Sequence, residues 1–352
     1  MGAAARDLEL DFEILEYHTS DPFHIARLRS PSARHSAWIR IRDGDGLEGW
    51  GEAVAIPYYG ETAQTIAAVL PRLAEAVRAS AQGDPFAIQR IEAAVSASVG
   101  HTGGARAGIS AALHDLVGKR LGVPVWRLLG GAPVSTISSF TIGIDEPETL
   151  RRKVRAASGY PCLKIKLGSG RDEEILALVR EEAPQCRLRV DANTAWSVKE
   201  ALAALPMLQD YGVEILEQPL APDDIEGLRL LRHRSTIPVF ADESCVRLHD
   251  IPRLAGSVDG VNIKLAKCGG LREALRMIHC ARAHHLEVML GCMVETTLGI
   301  AAAVQLAPFV DHLDLDGAAL LTDDPFTGPG LQADGTIRFN EEAGLGVSKQ
   351  QL

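Results

Sequence analysis

The stretch that decides the fold runs from RLRVD at 187–191 through EILE at 214–217 to PVFAD at 238–242. All three segments are short and apolar, and each ends on an acidic residue: Asp191, Glu217 and Asp242. The acids are 26 and 25 residues apart, which is the length of one strand-plus-helix unit. Strands that alternate with helical stretches are typical of βαβ units, so the segments predict a parallel sheet.

The same pattern extends in both directions from this stretch. After Gly130-Gly131 the chain has eight apolar segments of strand length, at 136–142, 162–167, 187–191, 214–217, 238–242, 260–265, 287–291 and 312–316. Helical stretches lie between most of them. The order predicts an α/β fold of the (β/α)8 type, or TIM barrel, with room for one regular helix to be missing.

The first 130 residues follow a different pattern. AWIRIR at 37–42 alternates apolar and polar residues, and a DGDG turn at 43–46 leads into a second alternating segment, which predicts an antiparallel hairpin. Three helices are predicted after it, at 62–79, 88–98 and 104–121. We therefore expect a domain boundary near residue 130.

Composition and charge exclude several classes of protein. The chain has 352 residues, 46% hydrophobic and 23% charged, which fits a globular protein rather than a disordered or coiled-coil one. The net charge of −10 argues against nucleic acid or an anionic membrane surface as a partner. The longest apolar run, 298–310, is too short for a membrane span.

Location and redox state are also suggested by the sequence. The N-terminus lacks the apolar region of a signal peptide, because charged residues interrupt it at Arg6 and Asp7. The six cysteines are scattered and include no CxxC pair, so neither a disulfide framework nor a zinc site is indicated. We expect a cytoplasmic protein.

The three acids predict a metal site. Barrel enzymes place their chemistry at the carboxyl ends of the strands, so Asp191, Glu217 and Asp242 are expected to meet at one mouth. Three carboxylates suit a hard cation such as Mg²⁺, with the remaining positions left to substrate and water. Zinc is disfavoured, since the cluster has no His or Cys.

Three lysines complete the predicted site. Lys164 and Lys166 are two residues apart in one strand, so both face the barrel interior. Lys264 follows Asp242 by 22 residues, on the sixth strand, opposite the second. Two lysines on opposite faces of one carbon can remove a proton and return it. We expect repulsion and the cation to lower the lysine pKa values toward neutrality, with Lys164 tuning Lys166.

Several motifs together resemble the muconate lactonizing branch of the enolase superfamily. They are KIK at 164–166, DAN at 191–193, EQP at 217–219, ADES at 241–244, NIK at 262–264 and KCGG at 267–270. The resemblance spans most of the chain. It implies an α+β capping domain over residues 1–130, a modified (β/α)7β barrel over 131–324, and a tail of about 325–352 that packs near the capping domain. A lysine base with Mg²⁺ is the known solution of this superfamily.

Within that branch, LDLDG at 313–317 resembles the dipeptide epimerases. There, the aspartates corresponding to Asp314 and Asp316 hold the substrate's ammonium group. The resemblance also assigns Thr141, Cys292 and Met293 to the substrate pocket. It implies an isomerase with one Mg²⁺ per subunit that epimerises the C-terminal residue of a small dipeptide, by default L-Ala-D/L-Glu. The proton transfer would be a 1,1-transfer through an enediolate.

Other functions and contacts stay open at this point. A cycloisomerase or dehydratase of the muconate or succinylbenzoate type would use the same metal and lysines. A Schiff-base lyase with Lys264 as nucleophile is a different class, and a barrel-derived binding protein is the least favoured reading. Arg27 and Arg29 are candidates to pair an acidic side chain, and Glu61 either holds a basic side chain or caps the helix at Thr62. We expect a homo-oligomer.

Overall fold

The computed structural model describes residues 7–350. Residues 1–6 and 351–352, on which the predictions about an N-terminal signal and the outermost domain limits partly depend, lie outside the described residues.

The N-terminal part is a small antiparallel sheet covered by helices. Its strands are β1 (Glu9–His18), β2 (Phe23–Ile25), β3 (Leu28–Ser30), β4 (Ala33–Arg42) and β5 (Glu48–Val54). Its helices are α1 (Ala63–Ala81), α2 (Ile88–Ser98), α3 (Gly103–Leu121) and α4 (Val125–Leu128). The main sheet has the order β1-β4-β5, while β2 and β3 form a separate hairpin. Thr62 begins α1 with a capping box, because its hydroxyl accepts from the Thr65 N–H while Thr65 caps in return.

Strand β5 lies directly on helix α3. A Cβ atom at Gly51 would stand 2.0 Å from the carbonyl oxygen of Gly108, and one at Gly49 would stand 2.0 Å from that of Ala112. Glycine is needed at these positions because the two backbones touch. The contact fixes where β5 leaves the sheet and enters the segment 55–61, which reaches the barrel mouth.

We expect Gly51→Ala to destabilise the protein by about 3 kcal/mol or more, because the added methyl group would force the strand off the helix. Urea unfolding of the variant and of wild type measures the difference in the free energy of unfolding. Gly100→Ala is the matched control, since a Cβ at Gly100 meets nothing within 4 Å. Equal stability of the two variants would contradict the backbone contact.

The C-terminal part is a parallel barrel. Its strands are β6 (Phe140–Ile142), β7 (Cys162–Lys166), β8 (Arg187–Asp191), β9 (Val213–Glu217), β10 (Val239–Ala241), β11 (Gly260–Lys264), β12 (Glu287–Gly291) and β13 (His312–Asp314). The sheet order is β13-β12-β11-β10-β9-β8-β7-β6. A parallel bridge between Ser138 and Leu313 closes the ring.

The seven connections between successive barrel strands contain eight helices, because two of them lie between β11 and β12. They are α5 (Pro147–Ala156), α6 (Asp172–Glu182), α7 (Val198–Asp210), α8 (Ile225–Arg234), α9 (Ile251–Leu254), α10 (Leu265–Cys268), α11 (Leu271–Ala283) and α12 (Thr297–Val304). The connection after β10 has only a 3-10 turn, Leu248–Asp250, and the single turn of α9, and β13 is followed by a 3-10 turn, Gly317–Leu320. The predicted (β/α)7β class with an α+β capping domain is therefore confirmed.

The tail returns to the N-terminal sheet. It carries β14 (Phe326–Thr327), β15 (Gly330–Leu331), β16 (Ile337–Arg338) and β17 (Ser348–Lys349). The Phe326 ring lies 5.5 Å from that of Trp38 and 6.4 Å from that of Trp50, centroid to centroid. The domain limits at 130 and 324 stay predictions.

Candidate active site

The three acids meet at the carboxyl end of the barrel. Asp191 and Glu217 are the last residues of β8 and β9 and pair with each other in register. Asp242 follows directly after β10. Each acid is buried and offers an oxygen, and the three oxygens lie within 4.8 Å of one another.

This cluster fits a divalent cation. Glu217 Oε2 is buried and accepts no well-directed hydrogen bond, although Lys164 Nζ lies 2.8 Å away. Burial raises the pKa of Glu217 to about 7 against the pull of Lys164, and the carboxylates of Asp191 and Asp242 raise it further. Three buried carboxylates that repel one another, one of them with an unused oxygen, form the oxygen donor set that Mg²⁺ prefers.

The lysines surround the cluster as the sequence predicts. Lys166 Nζ lies 2.6 Å from Asp191 Oδ2, and Lys264 Nζ lies 2.8 Å from Asp242 Oδ2. β7 and β11 are four strands apart in the ring of eight, so Lys166 and Lys264 approach the mouth from opposite sides. Lys164 lies deeper, 1% exposed, between Glu217 and Asp314.

The expected lowering of the lysine pKa values is not what the protein's own charges produce. Burial lowers the pKa of Lys164, yet Asp314, Glu217 and Asp191 together raise it well above the usual value. The pKa of Lys264 is also raised, because Asp242 outweighs burial. The direct ion pairs of Lys164 with Asp314 and of Lys264 with Asp242 outweigh the repulsion between the lysines.

Lys267 and Asn193 lie beside the acids. Both belong to the sequence motifs, but the sequence predicts no role for them. Lys267 Nζ donates to Asp242 Oδ1 at 2.5 Å and to the Asn262 carbonyl at 2.9 Å, which fixes the orientation of the Asp242 carboxylate. Asn193 Nδ2 donates to Asp191 Oδ2 at 3.2 Å and to Glu243 Oε1 at 3.2 Å. Asn193 has a φ of 44°, in the left-handed region that such side chains tolerate.

The paired aspartates line the cavity beside the metal cluster, with Lys164 between them: Lys164 Nζ lies 2.7 Å from Asp314 Oδ2 and 2.8 Å from Glu217 Oε2. Asp314 Oδ2 accepts from Lys164 Nζ at 2.7 Å, and its Oδ1 accepts from the Ser139 hydroxyl at 2.6 Å. Asp316 Oδ2 accepts from the Thr141 N–H at 2.5 Å. Burial, with the charge of Asp314, raises the pKa of Asp316 to about 6. This pair offers negative charge to a cationic group at the cavity wall.

A cavity lies between the barrel mouth and the N-terminal sheet. From the barrel it is lined by the three lysines, Asp242, Asn193, Asp314 and Asp316, together with Thr141, Cys292 and Met293. The N-terminal part contributes Phe23, Ile25, Arg27, Arg34, Ile56 and Tyr58. The structure thus brings together every site residue that the sequence analysis selected, except that Glu217 and Asp191 lie beneath the cavity wall.

Three residues left open by the sequence take distinct places. Arg27 pairs with Glu243 and lies over the Tyr58 ring, 4.0 Å from its centroid, while Arg29 is exposed and does not line the cavity. The Glu61 carboxylate accepts from the Gly104 and Ala105 N–H groups at 2.7 and 3.1 Å. Capping is therefore the role of Glu61, but the capped helix is α3 and not the one that begins after Thr62.

A second pair of buried acids lies behind the strand-β12 side of the cavity. Glu52 Oε2 accepts from the N–H groups of Thr296 and Gly299, each at 3.0 Å. A Cβ at Gly299 would lie 2.9 Å from Glu52 Oε2 and 2.3 Å from Glu295 Oε2, so the two carboxyl groups are close neighbours. Burial, with the charge of Glu52, raises the pKa of Glu295 to about 8.

We expect Glu295→Gln to reduce the loss of stability at alkaline pH. The folded protein keeps the Glu295 proton up to about pH 8, whereas the unfolded chain releases it near 4.5. The folded state binds more protons in this window, so stability falls as the pH rises through it. Between pH 5 and 9, the variant should gain about 2 to 5 kcal/mol relative to wild type. Urea unfolding at several pH values measures this, with exposed Glu13→Gln as control, and parallel pH profiles would disprove it.

The fold and the site define a class of protein: a barrel enzyme with a carboxylate metal site, two opposed lysines and a cavity closed by a second domain. Comparison with known proteins narrows the class. Residues 11–130 match the N-terminal domain of mandelate racemase / muconate lactonizing enzyme, and residues 148–351 match the enolase C-terminal domain-like family. The chain belongs to the mandelate racemase / muconate lactonizing enzyme family of enolase-like proteins.

Two curated relatives are epimerases. The chain is 39% identical to the L-Ala-D/L-Glu epimerase of Bacteroides thetaiotaomicron over 308 residues, which is 87% of this chain and 79% of the relative. It is 37% identical to the hydrophobic dipeptide epimerase of Enterococcus faecalis over 325 residues, 89% of this chain and 91% of the relative.

Solved structures agree with these relatives. The dipeptide epimerase of Enterococcus faecalis V583, complexed with Mg and the dipeptide L-Leu-L-Tyr, superposes with a TM-score of 0.91 at 34% identity, covering 97% of this chain and 99% of that one. The L-Ala-D/L-Glu epimerase of Bacillus subtilis, in a substrate-liganded complex, gives 0.89 at 28% identity, with 99% and 100% covered. The predicted resemblance, class of enzyme and use of Mg²⁺ are confirmed at this level.

Every helix within residues 7–350 is too short or too polar to cross a bilayer.

Proposed function

We propose that this chain is a Mg²⁺-dependent dipeptide epimerase that inverts the α-carbon of the C-terminal residue. The observation that carries the proposal is the placement of Lys166 and Lys264 on opposite sides of one mouth, each beside a carboxylate of the metal cluster. Two opposed lysines suit removal and return of a proton at one carbon. Because a cycloisomerase or dehydratase would use the same lysines, Asp314 and Asp316 are the residues that favour a dipeptide substrate over theirs.

Each residue then has a definite task. Asp191, Glu217 and Asp242 hold the cation, which supplies positive charge that makes a proton beside a bound carboxylate more acidic. Lys166 and Lys264 exchange the α-proton from the two faces. Lys164, held by Glu217 and Asp314, adds fixed positive charge where the substrate carboxylate enters.

The other end of the substrate is held by negative charge. Asp314 and Asp316 are buried, face the cavity and are oriented by Ser139 and Thr141. Two fixed carboxylates suit the α-ammonium group of a dipeptide. A muconate- or succinylbenzoate-type substrate has no cation to place there, which argues against a cycloisomerase or dehydratase.

Proton exchange in D₂O tests the function directly. A library of L,L dipeptides is incubated with the protein and Mg²⁺, and NMR follows deuterium at the C-terminal α-carbon. We expect exchange together with formation of the L,D epimer, and loss of both on addition of EDTA. Absence of exchange with every dipeptide would exclude the proposal, and exchange that survives EDTA would exclude the metal's role.

We also propose that the protein works in the cytoplasm as a homo-oligomer, with one Mg²⁺ per subunit and no nucleic-acid or membrane partner. The net charge of −10 and the six free cysteines support a reducing, non-membrane setting. The relatives are named for both acidic and hydrophobic dipeptides, so L-Ala-D/L-Glu remains the default substrate and not a conclusion.

A further inference from the structure

Among residues 7–350, one cationic side chain that lines the cavity has no hydrogen-bonding or ion-pair partner. Four of the cationic side chains that line it have carboxylate partners: Lys164, Lys166, Lys264 and Arg27. Arg34 also lines the cavity, yet it makes no hydrogen bond or ion pair to any residue within 7–350, and its Nε is buried without a partner. Arg34 is half-buried, so its guanidinium has donors open to a ligand in the cavity.

The position of Arg34 follows from the strand register. Arg34 on β4 stands directly opposite Tyr17 on β1, and directly opposite residues point to the same face of an antiparallel pair. The Tyr17 hydroxyl donates to the Val294 carbonyl at 3.3 Å. Arg34 therefore projects toward the barrel beside the loop that follows β12.

The segment that follows β1 borders Arg34 on the side away from the loop after β12. Thr19, two residues beyond Tyr17, forms a bridge with Leu321, and the Ser20 N–H donates to the Leu320 carbonyl at 3.1 Å. Leu320 ends the turn that begins just after Asp316. Arg34 thus lies on the side of the cavity that is formed by the loop after β12 and the turn after Asp316.

The chemistry of the side chain indicates its ligand. Burial lowers the pKa of Arg34, with only Tyr17 opposing the effect, so the charge is held at a cost. A guanidinium presents parallel N–H donors that match a carboxylate in a bidentate pair. Asp314 and Asp316 line the same cavity, so one ligand can offer an ammonium group to the aspartates and an anion to Arg34.

We propose that Arg34 is a specificity-determining residue that binds a carboxylate in the side chain of the substrate's N-terminal residue. The preferred substrates are then dipeptides that begin with L-Glu or L-Asp. This inference rests on the proposed function, because it takes the ammonium group at Asp314 and Asp316 as the reference point. A C-terminal acidic side chain is the other source of the same chemistry, and the experiment separates the two.

The test compares kcat/KM for α-proton exchange with matched substrates. L-Glu-L-Leu against L-Gln-L-Leu measures the N-terminal carboxylate, and L-Leu-L-Glu against L-Leu-L-Gln measures a C-terminal one. We expect wild type to prefer L-Glu-L-Leu over L-Gln-L-Leu by about 10- to 100-fold, as for a charged group that finds its bidentate partner. Arg34→Met should bring this ratio close to 1, and Arg34→Lys should give an intermediate ratio.

The control is Arg40→Met on the same strand. Arg40 pairs with Asp11 at the exposed side of β4 and does not line the cavity, so the ratio should stay at the wild-type value. Turnover of L-Gln-L-Leu shows that each variant is folded.

Four outcomes would overturn the inference. Exchange of neutral dipeptides without a preference for L-Glu-L-Leu, or a preference that Arg34→Met leaves intact, overturns it while the proposed function stands. A preference only for L-Leu-L-Glu, lost in Arg34→Met, overturns the assignment to the N-terminal residue. Absence of exchange with every dipeptide overturns the proposed function and this inference together.

Discussion

Lys166→Ala and Lys264→Ala should each abolish epimerisation, with a fall of at least about 10³-fold in kcat, because a positioned acid–base group contributes up to about 10⁴-fold. The two variants should differ in what survives. Each lysine addresses one face of the α-carbon, so a variant that keeps one lysine still takes a proton from one epimer. We expect one variant to exchange the proton of the L,L dipeptide only and the other that of the L,D epimer only.

NMR in D₂O with each pure epimer measures this difference. Lys199→Ala, on the exposed surface of α7, serves as the matched control and should behave as wild type. If both variants lose exchange with both epimers although they still bind Mg²⁺, the two lysines do not act on separate faces. If either variant epimerises at the wild-type rate, that lysine has no part in the reaction.

Glu217→Gln should remove metal binding and activity without unfolding the protein. The substitution removes one of the three charged ligands of the cation. We therefore expect at least a 10²-fold loss of Mg²⁺ affinity, about 2.7 kcal/mol. The loss of kcat/KM should be similar or larger. Without Mg²⁺ the variant should be at least as stable as wild type, because a repelled buried charge has been removed.

Calorimetric titration with Mg²⁺ and thermal unfolding with and without Mg²⁺ measure both parts of this prediction. Glu214→Gln is the control, since Glu214 is near the other end of the same strand and pairs with Arg187 at 2.8 Å on the surface. Wild-type Mg²⁺ affinity in Glu217→Gln would show that the cation is bound elsewhere. A large loss of stability in the absence of Mg²⁺ would show that Glu217 is a structural partner of Lys164 instead.

The barrel was predictable because its strands are short, apolar and regularly spaced. The fifth strand was expected at 238–242 and is observed at Val239–Ala241, and the eighth was expected at 312–316 and ends at Asp314. Both differences fall at strand ends. Acidic residues there turn toward the cavity and leave the ladder, so apolar patterning overestimates the strand.

Strand β1 is the clearest omission from the sequence prediction. Glu9–His18 pairs with β4 along its whole length, and Leu10, Phe12 and Ile14 do alternate with acids. That signal was available. The alternation changes phase after Ile14: Leu10 and Phe12 pack against the N-terminal core, whereas Leu15 packs from the other face of the strand against the barrel core.

The site was predictable where its residues repeat with the barrel period, and not elsewhere. Asp191, Glu217 and Asp242 share one spacing, so sequence alone places them together. Arg34 and Glu61 come from the N-terminal domain, and no interval relates them to the barrel strands. Their positions depend on how the two domains pack, which is set by contacts such as those of Glu52 with Thr296.

The closure of the barrel at Ser138 and Leu313 affects which parts of the pocket can be altered by substitution. β7 through β12 each have hydrogen-bonded neighbours on both sides, so the cation and the two opposed lysines stand in a continuous framework. β13 meets the segment just before β6 through the bridge of Ser138 to Leu313 and one backbone hydrogen bond from the Ser139 N–H to the Leu313 carbonyl, beside Asp314. Widening this seam disturbs few backbone hydrogen bonds, so the half of the pocket that reads the substrate can adapt while the half that performs the chemistry stays rigid. New side-chain preferences are therefore accessible by substitutions along one seam, with the reaction itself preserved.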